Sequence, residues 1–341
     1  MTSRERVIRT LQFKQTDRVP YDLMEGSVWP ELADYFRDKH GLQDPDQVRD
    51  FLGTDFRWVS VVNTGPTKWI WTPGASHGED EPRTKYVGEG PLAHAETVAD
   101  VESHEWPDPR WWQPGDFRAA RRRRLDHALA FSPSWKPLFW SACEAFGLEG
   151  ALIRMISAPD VFNAFVRRQH EFYMDILSRG LNAARGLCDI CWLGDDFAGQ
   201  KAMLMSPDLW RRHIKPYLAE QVRLARDHGM YVFLHSCGAV RPILPDLIDI
   251  GVNALLVFQT TAAGMDPESI AAEFGGRLAF YGGIDVQTLL SYGTPDEVKA
   301  EVRRNIRAFA DCGGYIVANS HHGVTTIKPE NLIAMCQAAA E

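Results

Sequence analysis

His235 and Cys237 stand two residues apart in His235-Ser236-Cys237, and an imidazole and a thiolate at that spacing are the beginning of a metal site. In an extended chain alternate side chains share a face, so both donors point one way and can clip a single ion. The pair alone is a weak signal, because buried cysteines commonly pack as small hydrophobes and buried histidines often satisfy backbone carbonyls. His321 and His322, much later in the chain, add further donors. Either can complete three protein ligands and leave a fourth position for substrate. Asp195-Asp196 is the strongest carboxylate cluster. Neighbouring acids can push one pKa upward, as a general acid needs, or can help hold a cation. Helix capping is the plain alternative, but Asp196 lies too far from Asp208 to cap the helix that starts there.

The remaining cysteines read differently. Cys188-Asp189-Ile190-Cys191 is formally C-x-x-C, yet positions three apart in an extended run face opposite ways, which assigns it to packing. Cys143 sits beside Glu144 at an expected strand end, and Cys312 and Cys336 fall in helical segments. The chain has no G-x-S-x-G elbow, Walker loop or HExxH, which removes the usual esterase, NTPase and zincin chemistries.

Composition bounds the partners. The chain has 341 residues, 45% hydrophobic and 24% charged, enough for one large α/β barrel or two ordinary domains. Its six cysteines are too few and scattered for a disulfide scaffold. A net charge of −8 argues against nucleic acid. Arg121-Arg122-Arg123-Arg124 is the local exception. It lies in an expected helix over Phe117–Ala130, with Phe117, Leu125 and Leu129 as apolar contacts, and reads as a solvated face, an anionic partner being the alternative. The N-terminus is charged from Arg4 onward, and no stretch reaches the roughly 18 apolar residues of a membrane span. The expectation is a cytoplasmic protein with no membrane partner.

The elements that position these groups follow from periodicity. Strands are expected at Val19–Leu23, Phe56–Val62, Leu138–Ala142, Ile190–Leu193, Tyr231–Leu234, Ala254–Phe258, Leu278–Tyr281 and Tyr315–Ala318, with helices between them, the first over Val28–His40. Ser206-Pro207-Asp208, Asp266-Pro267-Glu268, Thr294-Pro295-Asp296-Glu297 and Lys328-Pro329-Glu330 open helices with proline in the first turn. No G-x-G-x-x-G follows a strand, so a single closed (β/α)₈ TIM barrel is preferred to a dinucleotide fold. The Trp-, Pro- and Gly-rich stretch 63–135 interrupts the repeat as an insertion between the second and third strands. Within it Trp69–Trp71 and Thr84–Val87 can pair as a hairpin across Gly74–Pro82, while Trp106, Trp111 and Trp112 add apolar surface, suiting a cap or a substrate lid. Barrel active sites are built at strand carboxyl ends. On this reading Glu144, Asp195-Asp196, His235-Ser236-Cys237, Gln259, Asp285 and His321-His322 follow the third to eighth strands in order.

Leu193-Gly194-Asp195-Asp196-Phe197-Ala198-Gly199-Gln200, His235-Ser236-Cys237-Gly238 and Gly282-Gly283-Ile284-Asp285 resemble the uroporphyrinogen decarboxylase superfamily, and the likeness extends over nearly the whole chain. Its decarboxylases carry an arginine-bearing N-terminal segment that contacts the substrate's carboxylates. Here the region reads Tyr21-Asp22-Leu23-Met24-Glu25-Gly26-Ser27, so a many-carboxylate porphyrinogen lacks its partners and meets two acids. The resemblance instead implies the corrinoid-linked methyltransferase branch, in which zinc is held by a His-x-Cys pair and a later cysteine. His235 and Cys237 match that pair. At the third position this chain has Asn319-Ser320-His321-His322-Gly323, so the resemblance makes His321 the substitute ligand and His322 a contact behind it or to substrate. It implies methyl transfer between a small methylated or methoxylated molecule and a separate corrinoid protein, with zinc as Lewis acid. Asp195, Asp196 or Glu144 would handle the proton, and Gln259, Asp285 and Tyr21 would contact substrate. A metal-free decarboxylase or lyase on a smaller acid, using Asp195 or Asp285, is the rival reading, and a binding component without chemistry is a third.

Overall fold

The structure is a computed structural model that describes residues 1–24, 27–66, 90–322 and 325–341. The hairpin expected from Trp69–Trp71 and Thr84–Val87 lies outside the described residues, as do Glu25 and Gly323. The strands are β1 (Phe56–Ser60), β2 (Val62–Asn63), β3 (Trp112–Gln113), β4 (Ala128–Ser132), β5 (Ile190–Gly194), β6 (Tyr231–His235), β7 (Ala254–Phe258), β8 (Ala279–Ile284) and β9 (Tyr315–Asn319). The helices begin with α1 (Ser3–Leu11), α2 (Pro30–His40), α3 (Pro45–Leu52), α4 (Val98–Glu102) and α5 (Phe117–Arg123). Next come α6 (Phe139–Phe146), α7 (Leu148–Ser157), α8 (Pro159–Ala184), α9 (Pro207–His213) and α10 (Lys215–Asp227). The chain closes with α11 (Leu244–Ile250), α12 (Pro267–Phe274), α13 (Leu289–Tyr292), α14 (Pro295–Ala308) and α15 (Pro329–Ala340).

Seven parallel strands form one curled sheet in the order β1-β4-β5-β6-β7-β8-β9, and β2 pairs with β3 as a separate antiparallel ladder. Parallel neighbours need crossovers, and the helices between strands supply them. Strand periodicity sorts side chains into two cores. Phe56, Ala130, Trp192, Phe233, Leu256, Tyr281 and Ile316 gather in one cluster on one face of the sheet. The alternate residues Leu129, Cys191, Leu234, Leu255, Phe280 and Val317 join the larger cluster that includes the helices. Burial on both faces explains why these strands read as apolar runs rather than alternating ones.

The expected first strand is reduced to a single bridge, Tyr21 to Val317. Residues 20–22 nevertheless bond to both edge strands. Val317 N–H donates to Pro20 O at 3.0 Å, Asp22 N–H to Val317 O at 2.9 Å, and Asp55 N–H, just before β1, to Tyr21 O at 2.9 Å. The buried Asp55 carboxylate holds the segment in place, accepting from Tyr21 N–H at 2.9 Å, Arg6 Nη1 at 2.6 Å and Arg18 Nη1 at 2.7 Å.

The third strand is also not where periodicity placed it. Ala128–Ser132, expected as the tail of a helix, is a fully buried strand paired with β1 and β5. Leu138–Ala142 instead belongs to the start of α6. A short apolar run cannot be told from buried helix by periodicity, and here a distant carboxylate decides it (below). The helix that starts at Phe117 stops at Arg123, and the stretch 63–135 therefore returns to the sheet at Ala128, before its expected end. Two of the four arginines are tied down rather than freely solvated. Arg121 donates to Asp189 at 2.6 Å and to Leu187 O at 2.7 Å, and Arg124 reaches Asp50 at 2.9 Å. Cys312 lies in the turn before β9, beyond the end of α14. Among the described residues, no helix is long and apolar enough to cross a membrane.

Candidate metal centre

His235 is the last residue of β6 and continues the face marked by Phe233, so its ring enters the space inside the curl. Its Cα partners are Gly194 on β5 and Leu256 on β7. Gly194 leaves room for an aromatic wall, because a Cβ there would meet the Trp135 ring at 2.5 Å. Trp135 stacks on Trp192 at 5.9 Å and packs edge-on to His235, the ring centroids 5.1 Å apart. The extended course persists past the strand end, and Cys237 Sγ lies 3.5 Å from His235 Nε2. From the far side of the curl, at the end of β9, His321 joins them. Ligand atoms of His235, Cys237 and His321 all lie within 4.8 Å of one another. The His322 ring is 5.3 Å from that of His321 and 6.4 Å from that of His235.

Asp196 completes the cluster's charge. Its Oδ1 accepts the Cys237 N–H at 2.9 Å and lies 3.5 Å from His235 Nε2, with 23% of its side chain exposed. Burial works to raise its pKa, but the His235 ring, the Cys237 N–H and His321 overcome that and hold it at about 2. The thiol of Cys237 goes the other way, raised well above its ordinary value by burial and then by Asp196. Burial first and His235 second lower the pKa of His321, favouring the neutral ring that a metal takes.

These residues fit zinc. One thiolate and two imidazoles are the donors zinc prefers. Tetrahedral bonds of about 2.0–2.3 Å put ligand atoms roughly 3.3–3.8 Å apart, a separation the His235–Cys237 pair meets, with His321 inside the same 4.8 Å cluster. His235 Nδ1 is buried without a hydrogen-bond partner, while Nε2 faces Cys237 and Asp196, so Nε2 is the donor available to an ion. A divalent charge would also reverse the penalty on the Cys237 thiolate.

The turn that carries Cys237 is braced from below. Gly238 has φ 81°, and a Cβ there would meet Gly199 O at 2.4 Å, so only glycine fits. Gln259 Oε1 accepts from Gly238 N–H at 2.7 Å and from Gln200 Nε2 at 3.0 Å. Gln259 itself follows a bulge at which Val257 is forced to φ 74°, a strained position for a β-branched residue. Asn319 holds the other ligand strand. Its Oδ1 accepts Met24 N–H at 3.1 Å, and its Nδ2 donates to Ser27 Oγ at 2.7 Å and to His321 O at 2.5 Å.

Other expected site residues turn out to shape the backbone. Asp195 accepts N–H groups from Leu138 at 3.0 Å, Phe139 at 2.7 Å, Trp140 at 2.9 Å and Asp196 at 3.0 Å, so it caps α6. Burial pushes its pKa up to about 7 against the pull of those donors. Asp285 accepts from Gln287, Thr288 and Leu289 N–H and from the Thr288 hydroxyl, capping α13; burial opposes these bonds, which still lower its pKa. Tyr21 donates its hydroxyl to Leu52 O at 3.1 Å, beside α3. Glu144 is exposed on α6 and borders a side cavity to which none of His235, Cys237 and His321 contributes. Periodicity passed over Trp135 and Asn319. Asn319 carried a usable signal, a polar residue closing an apolar run, whereas Trp135 was absorbed into the Trp-rich insertion.

Fold and site together define an α/β protein with a curled parallel sheet and a metal-competent His-Cys-His cluster at the strand carboxyl ends. The uroporphyrinogen decarboxylase (URO-D) family pattern matches residues 139–341, more than half of the chain. The chain belongs to that family. It is 30% identical over 138 residues to a uroporphyrinogen decarboxylase of Pelodictyon phaeoclathratiforme, a match spanning 38% of this chain and 37% of that protein. It is 27% identical over 222 residues to a methylated-thiol–coenzyme M methyltransferase of Methanosarcina mazei, spanning 64% of this chain and 55% of that one. Both matches therefore cover well under two thirds of the relative's length. A solved methyltransferase structure from Methanosarcina mazei superposes over 100% of this chain and 98% of that one with a TM-score of 0.67 at 17% identity, a likeness of fold.

Proposed function

We propose that the protein is a zinc-dependent methyltransferase that moves a methyl group between a small methylated or methoxylated molecule and a separate corrinoid protein. The observation that carries this reading is the convergence of His235, Cys237 and His321, from opposite parts of the sheet, on one point. Supporting it are the methyltransferase relatives of Methanosarcina and the absence, among described residues 21–24 and 27, of the arginines that a porphyrinogen's carboxylates require. Bound zinc would supply Lewis acidity toward the substrate heteroatom.

The chain's own residues do the rest. His235, Cys237 and His321 would hold the ion, and Asp196, anchored by the Cys237 N–H, keeps its negative charge beside them. Asp196 and His322, both beside His235, would hold or move a proton at the leaving heteroatom. Trp135 and Trp192 exclude water from one side of His235. Gln259 acts through the Gly238 turn. The sheet reads as a (β/α)₈ barrel whose first strand has shrunk to residues 20–22, and the stretch after β2 as its cover. A lyase using Asp195 or Asp285 is not favoured, since backbone N–H donors already occupy both carboxylates.

The test is zinc analysis of the purified protein, with methylation of a supplied corrinoid protein followed by its visible spectrum. Stoichiometric zinc, lost with activity in His235→Ala, is expected. Metal-free protein, or carbon dioxide release from a small acid without corrinoid, overturns the proposal.

A further inference from the structure

A second site lies one residue from the metal centre's wall. Trp135 faces His235, and the next residue, Lys136, borders a cavity of about 220 Å³. By volume that is roughly seven waters at ~30 Å³ each, or room for one aromatic ring with a small substituent. Its walls are two aromatic pairs: Trp112 edge-on to Phe172 at 5.3 Å, and Trp106 tilted on Phe165 at 5.3 Å. The Lys136 ammonium stands over the Trp112 ring, 5.0 Å from its centroid.

Lys136 Nζ therefore borders the cavity over a π surface, and Glu144 is the acid whose charge acts on it. Lys136 is half-buried, and desolvation lowers the pKa of its ammonium to about 8, opposed by the attraction of Glu144. An incoming anion offsets that desolvation. Glu144 and Glu105 also border the cavity, and His104 lies with them. Both carboxylates are exposed, where water screens their fields, whereas Lys136 is half-buried. Ser141 and Gln169 complete the polar part of the wall, and aromatic rings beside a few polar groups are the ordinary composition of a small-molecule site.

We propose that this cavity binds a small aromatic carboxylate, its ring against Trp112 and the facing aromatics and its carboxylate on the Lys136 ammonium. The site is independent of the methyl-transfer reading and needs no metal.

Benzoate is the probe, titrated calorimetrically into the zinc-loaded full-length protein, with benzyl alcohol as the uncharged ring. Saturable benzoate binding at least tenfold tighter than benzyl alcohol is expected. Lys136→Met, which keeps the apolar stem, should weaken benzoate at least tenfold and leave benzyl alcohol unchanged, and Lys136→Arg should retain most of the binding. His235→Ala, which empties the metal centre, should leave benzoate affinity as it was. Equal affinity for the two probes, wild-type affinity in Lys136→Met, no saturable benzoate binding, or loss of binding in His235→Ala would each overturn the assignment, the last by locating the carboxylate on the metal. Should Lys136→Met not fold, Lys136→Gln gives the same comparison.

Discussion

Asp196 Oδ1 accepts the backbone N–H of Cys237 at 2.9 Å, so the carboxylate that faces the metal cluster also sets the turn that presents its thiol. The same oxygen lies 3.5 Å from His235 Nε2. Two members of the metal-competent cluster therefore answer to one side chain.

Asp196→Asn keeps the acceptor and removes the charge. Groups that orient or polarise metal ligands typically account for about 10- to 100-fold in affinity. Zinc affinity, measured by competition with a chromophoric chelator, should fall by that factor with the fold intact; unchanged affinity would assign Asp196 to backbone support alone.

His321 and His322 should separate cleanly. His321→Ala removes a donor of the three-residue cluster and should weaken zinc by more than about 100-fold. His322→Ala should retain zinc and lose turnover. Metal analysis of both variants decides which ring is the ligand, and retention by His321→Ala would overturn the ligand set.

Asp195 is expected to matter to stability more than to chemistry. Asp195→Ala leaves four backbone N–H groups of the α6 cap and the strand end without their acceptor. Loss of about 2–3 kcal/mol in denaturant-derived stability follows from a missing cap and buried unsatisfied donors. A variant as stable as the parent but inactive would return Asp195 to a catalytic role.

Asp22 carries a pH signature. Its carboxylate is fully buried; Oδ2 accepts from Trp58 Nε1 and Tyr281 OH, both at 2.9 Å, and Oδ1 has no partner. Burial raises its pKa from 3.8 to about 6, against the pull of Arg49 and of those two donors. The folded state thus binds the proton more tightly than the unfolded chain, so this contribution to stability is full below pH 3.8 and is lost as pH rises through about 6. Asp22→Asn abolishes it. At about 1.4 kcal/mol per unit over roughly two units, the variant should gain up to about 3 kcal/mol on the parent between pH 4 and pH 7, read from paired thermal melts. Parallel pH profiles would contradict a buried, proton-binding Asp22.

Much of the architecture was legible in local pattern. The strands from Ile190 onward match expectation closely, because each is an apolar run set off by helix starts such as Ser206-Pro207 and Thr294-Pro295. Before Ile190 the strand starting at Phe56 and the helix ending at His40 are found as expected, but the signals for the first and third strands misled. Ala128–Ser132 lacks β-branched residues and trails a helix, so nothing local marks it as strand. Leu138–Ala142 looks extended, but Asp195 supplies acceptors to three successive N–H groups and thereby makes it helix. That contact joins residues 55–57 positions apart, beyond the reach of any window.

The site divides along the same line. The amino-acid order by itself determined that His235 and Cys237 share a face, since alternation along a strand is a property of the backbone, and it supplied the donors that zinc prefers. Only the tertiary structure decided which of the other polar residues belong with them. Asp196 faces the cluster while its neighbour Asp195 caps a helix, and Glu144 sits beside Lys136 in a separate cavity. The curl of the sheet brings β9 round towards β6, and that long-range curvature, set by how twisted strands pack rather than by any local spacing, is what places His321 against His235.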